Sequence, residues 1–73
     1  MTHRSYSRER LELTARMRAV LVAASHGRTE LETARELHIG YSTVKAVRAA
    51  AVARMGVRNV TEAIGELGRR GEL

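Results

Sequence analysis

From Gly40 to Val57 the chain reads GYSTVKAVRAAAVARMGV, an alanine-rich run without proline whose residues lose little on entering a helix. At about 100° per residue, Val44, Val47, Ala51 and Met55 fall on one face. Ser42, Lys45, Ala46, Ala49 and Ala53 lie opposite. The spacing predicts a helix over 42–55 with an apolar inner side. No acidic residue occurs from Leu37 through Thr61, a window that holds Lys45, Arg48, Arg54 and Arg58. Such a helix projects a field of one sign, which attracts phosphate. The other use open to it is a scaffold helix whose Ala and Val positions pack against neighbours.

Start and stop signals divide the flanking sequence. Met17, Val20, Leu21 and Ala24 recur at helical spacing behind Thr14, an N-cap residue, with Leu13 placed as a hydrophobic staple. His26 and Gly27 end this first helix, and Arg28 suits the negative end of its dipole. Arg16 and Arg18 read as solvated face residues. Thr29 with Glu32 three positions on is capping-box spacing, opening a second helix over Glu30–His38 with Leu31, Ala34 and Leu37 as its buried stripe. A short HIGYS turn containing Gly40 leads into the third helix, and Gly56 closes it. A fourth helix is predicted from Asn59 to Arg70, with Val60, Ala63, Ile64 and Leu67 as an apolar stripe suited to a dimer contact. Two helices joined by a tight turn make a helix-turn-helix. The expected fold is therefore all-α, a small four-helix helix-turn-helix domain over 13–73 whose third helix is the recognition helix. Residues 1–12, MTHRSYSRERLE, are polar and basic, and read as a flexible tail or as an arm touching DNA.

Composition narrows the chemistry. The chain has 73 residues, no Phe or Trp, and only Tyr6 and Tyr41 as aromatics, which argues against a stacking platform for single-stranded nucleic acid. It lacks Cys and Asp, and His3, His26 and His38 have no ligand spacing, so no nucleophile and base pair or metal site can be assembled. An enzyme is not expected, nor a cofactor. Thirteen Lys and Arg against eight acids give a formal charge of +5, which favours a polyanionic partner. No apolar stretch approaches signal-peptide or membrane-spanning length, so the expectation is a soluble cytoplasmic protein with no membrane contact.

The run from Leu13 to Leu73 resembles the LuxR/GerE-type helix-turn-helix domain of bacterial response regulators and quorum-sensing regulators. The likeness is carried by Leu13, Thr14, Arg16, Val20, Leu21, Gly27, Glu32, Ala34, Leu37 and Ile39, by Thr43-Val44-Lys45, and by Gly56-Val57-Arg58-Asn59 with Thr61, Glu62 and Ala63. It implies a third helix that enters the major groove and a fourth that mediates dimerisation. Several positions depart from the family's usual residues. Ala15 stands in place of Pro, Met17 of Glu, Thr33 of an aliphatic residue, Val47 of His and Ala51 of Ile. These changes predict a less fixed start to the first helix, a missing internal ion pair and a lighter core beneath the third helix. Ala49 occupies a position where a basic or polar side chain often meets bases.

If the third helix reads DNA, Lys45 is the leading candidate for a guanine or phosphate contact, and Ala46 and Ala49 can meet thymine methyls. Such apolar contacts discriminate less than a bidentate Arg–guanine pair at about 1–3 kcal/mol, which predicts modest specificity. Thr29, Ser42 and Thr43 sit at helix starts suited to phosphates, Arg54 and Arg58 flank the groove, and Arg48 lies at the core edge. The lead reading is a stand-alone transcriptional regulator acting on double-stranded DNA as a homodimer through its C-terminal helix. The alternative is a protein-binding adaptor or modulator that docks its Ala-rich third helix on a component of the transcription machinery.

Overall fold

The computed structural model describes residues 13–73; the basic segment 1–12, assigned above to a tail or arm, lies outside the described residues. Among them are four helices and no strand: α1 (Ala15–Ser25), α2 (Glu30–Leu37), α3 (Tyr41–Met55) and α4 (Val60–Arg69). The all-α, four-helix expectation holds.

Three of the helices begin on side chains that satisfy backbone N–H groups left over at a helix start. The Thr14 Oγ1 accepts from the Met17 N–H at 3.0 Å, and the Asn59 Oδ1 accepts from the Glu62 N–H at 2.8 Å. At α2 the capping box is complete, with the Glu32 N–H donating to Thr29 Oγ1 at 3.0 Å and the Thr29 N–H donating to Glu32 Oε1 at 2.8 Å. α3 differs, because its N-cap is Gly40, which has no side chain to offer.

Helix ends follow the left-handed C-terminal pattern. Gly56 closes α3 with φ of 70°, and Gly27 takes φ of 85° after α1. The turn between α2 and α3 does not use its glycine in this way. Its left-handed residue is His38, with φ of 58°, whereas Gly40 is extended at φ of −70°. A non-glycine residue there costs about 1 kcal/mol, offset by the bond from the Ile39 N–H to the Ala34 carbonyl at 3.0 Å.

α1 and α3 each pack on every other helix, while α2 and α4 stand apart on either side. One buried cluster joins Leu13, Met17 and Leu21 to Ala51, Ala63 and Leu67. The other joins Val20, Ala34 and Val44, and Val47 packs against both. Met17, standing where the family usually has Glu, is thus a core residue.

Two expected stripes are corrected. Leu31 is 48% exposed, and Thr33 is fully buried in α2 instead. Its hydroxyl donates to the Thr29 carbonyl at 2.9 Å, so a polar side chain takes an aliphatic position without an unsatisfied group. In α4, Ala63 and Leu67 are fully buried against α1 and α3, and Val60 packs on the same cluster. Ala63 and Leu67 thus stabilise the protomer and offer no surface to a second copy; Val60 and Ile64, the other two residues expected at that contact, are half-buried, and Ile64 lies outside both clusters.

Truncating Leu21 to Ala removes a fully buried anchor and should cost about 2–5 kcal/mol, read as an earlier urea transition of the helical circular dichroism. Leu31→Ala should shift the same transition by no more than about 0.5 kcal/mol. The capping box also makes stability pH-dependent. The hydrogen bond from the Thr29 N–H holds the Glu32 carboxyl below its ordinary pKa. A depressed folded-state value means the stabilisation is complete above the unfolded-state pKa and is lost as pH falls through the folded one. Melting temperatures of the parent and Glu32→Ala should therefore differ most near about pH 7 and draw together as pH falls below the ordinary carboxylate value of about 4.3; a gap that stays constant through that fall contradicts the assignment.

Candidate nucleic-acid interface

With Val44 and Ala51 buried against α1, the opposite side of α3 faces solvent. Ser42, Lys45, Ala46, Ala49, Ala50 and Ala53 are exposed there, and Thr43 is half-buried at its edge. The face expected from the helical wheel is thus present on the surface. It carries no carboxylate, since α3 contains none.

Beside this face runs an open, largely apolar groove of ≈ 490 Å³ between the start of α1 and the first half of α3. Arg16 and Met17 line one wall, and Ser42, Thr43, Ala46 and Ala50 the other. Arg16, read from sequence as an ordinary solvated residue, is therefore a neighbour of the α3 face. Nothing in a single-helix pattern signals that, because the two residues are far apart in sequence and meet only through packing.

Charge pairing separates the basic residues into two groups. Arg28 pairs with Glu36 at 3.6 Å and Arg18 with Glu72, while Glu66 holds Arg69 at 2.8 Å and Arg70 at 3.3 Å. The hydrogen bonds from Arg69 keep the Glu66 carboxyl below its ordinary pKa, so that carboxylate stays ionised at neutral pH. Among the described residues, Arg16, Arg35 and Lys45 enter no ion pair. Arg35 lies near the Glu32 carboxylate on α2, while Arg16 lines the groove and Lys45 stands on the outer face of α3.

The other candidates occupy varied settings. Arg48 turns inward: its side chain is 18% exposed, its Nη1 is 3.8 Å from Glu30 Oε2, and its buried Nε makes no hydrogen bond. Thr29 has its hydroxyl engaged in the capping box, with the Glu30 and Glu32 carboxylates in the same turn. An acidic first turn opposes a phosphate at that helix start. Arg54 is half-buried near the end of α3. Arg58 is exposed in the following loop, its Nε 3.2 Å from Glu62 Oε2. No helix among the described residues is long and apolar enough to cross a membrane.

Residues 11–67 match the family model described as bacterial regulatory proteins, luxR family, also designated GerE. Comparison with curated proteins finds no match.

Proposed function

The chain belongs to the luxR family of bacterial regulatory proteins and is a DNA-binding helix-turn-helix domain, and from that premise we propose that it regulates transcription by laying α3 in the major groove as one half of a dimer. The observation that carries this reading is the exposed, acid-free face of Ser42, Lys45, Ala46 and Ala49, with Arg16 alongside. Lys45 donates to guanine or phosphate, and Ala46 and Ala49 lie against thymine methyls. Ser42 and Thr43 hold a phosphate at the start of α3, where Gly40 leaves the helix N–H groups without a side-chain cap. Arg54 and Arg58 serve the flanking backbone, and Arg16 takes a phosphate across the groove from α3. Arg48 and Thr29 act within the fold and support the reader from behind. The dimer contact rests on Ile64, the stripe residue of α4 outside the buried clusters.

A second reading is favoured by the groove beside Ala46 and Ala50, whose apolar lining suits a helix from a component of the transcription machinery. Titration of duplex DNA at several salt concentrations separates the two. Affinity should fall linearly on a log–log plot against salt, Lys45→Ala should weaken it, and Arg16→Ala should reduce the slope by about 1. Absence of binding at low salt discards the DNA reading in favour of the partner-binding one. For the dimer, Ile64→Glu tests the edge without opening the core, unlike a charge at Leu67. Sedimentation on DNA should show two protomers for the parent and one for the variant.

A further inference from the structure

We propose that Tyr41 is a positioning residue that presets Lys45 for DNA; the inference rests on the DNA-binding reading above. Tyr41 is the first residue of α3 and 47% exposed. Lys45 lies one turn further, on the same side of the helix. Its Nζ sits over the Tyr41 ring, 5.4 Å from the centroid, within the range of a cation–π contact. The Tyr41 hydroxyl makes a long contact of 3.4 Å with Glu30 Oε1, on the carboxyl group that also faces Arg48. A lysine one turn beyond a helix start commonly meets a carboxylate, which would orient the ammonium and cancel its charge. An aromatic ring orients it and leaves the charge intact. The face of the ammonium turned away from the ring keeps its N–H donors for an anionic or carbonyl acceptor, and the long side chain has less freedom to lose on binding.

The test is a double-mutant cycle on a random-sequence duplex of about two helical turns at fixed low salt. Tyr41→Leu should weaken binding roughly two- to fivefold when Lys45 is present and leave it unchanged in the Lys45→Ala background. Tyr41→Phe, which keeps the ring, should retain most of the affinity. An equal loss in both backgrounds, no loss, or tighter binding by Tyr41→Leu overturns the proposal. Nuclear magnetic resonance of the free protein supplies the second readout: the Lys45 ε-methylene protons should be shifted upfield by the ring in the parent and in Tyr41→Phe, and not in Tyr41→Leu. No such shift in a parent that binds DNA overturns the positioning role alone. A shift present in a parent that does not bind DNA overturns the DNA reading and the role with it.

Discussion

Everything this chain presents to a partner depends on how α3 lies against α1. Val44 and Ala51 are fully buried on opposite sides of Val47, which packs against both core clusters. Contacts at both ends of one face fix the rotation of a helix about its axis, because a one-residue slip turns it by about 100° and would drive Lys45 toward the core. Small Ala51 lets the two helices approach closely at the point where α4 joins them through Ala63 and Leu67. A domain this small buries a modest share of its surface, so these few contacts both hold the fold and aim its exposed side.

Electrostatics follow from that orientation. α3 contains no acid, while the carboxylates on α2, α4 and the C-terminal residues meet arginines: Glu36 with Arg28, Glu66 with Arg69 and Arg70, Glu72 with Arg18. Exposed ion pairs of this kind add little to stability. Their larger effect is on the field, since they cancel charge on those surfaces, whereas Arg16 at the groove and Lys45 on the outer face of α3 enter no ion pair among the described residues. Arg48 is the exception. It lies behind the outer face and meets Glu30 across the α2–α3 boundary, joining the two helices of the motif.

Most of the helix starts were legible in the sequence because capping is a local affair. Thr14 and the Thr29–Glu32 pair each act within one turn, so residue type and spacing suffice; Asn59, read as the first residue of its helix, is the cap one position before it. The outer face of α3 was legible too, since fifteen residues give the helical period several turns in which to declare itself. Eight residues of α2 do not. Hydropathy prefers Leu31 to Thr33, but the direction of α2 is set by α1 and α3, and a threonine hydroxyl can turn back to its own helix. α4 poses a different problem. An apolar stripe has the same pattern whether it meets its own core or a second copy, so Ala63 and Leu67 were separable from Ile64 only by packing. The proximity of Arg16 to α3 likewise exists only in three dimensions.

The methyl-covered face of α3 bears directly on how DNA would be read. Side chains at Ala46, Ala49, Ala50 and Ala53 offer no hydrogen bond to a base edge, leaving Ser42 and Lys45, with Tyr41 at the helix start, as the polar side chains exposed on its first turns. A contact between an alanine and a thymine methyl separates one base pair from another by less than a bidentate arginine does at about 1–3 kcal/mol. Affinity in the mode proposed here therefore comes chiefly from phosphates and is steeply salt-dependent. The same smoothness has a geometric consequence. With no long outward side chain on its central turns, α3 in the proposed mode would lie closer to the groove floor, which would bring Ser42, Thr43 and Lys45 to one strand and Arg16 to the phosphates beside it. In the proposed dimer, a weak reading made at close range would gain selectivity from a second protomer repeating it one helical turn away, so half-site spacing would supply the discrimination that a single α3 does not.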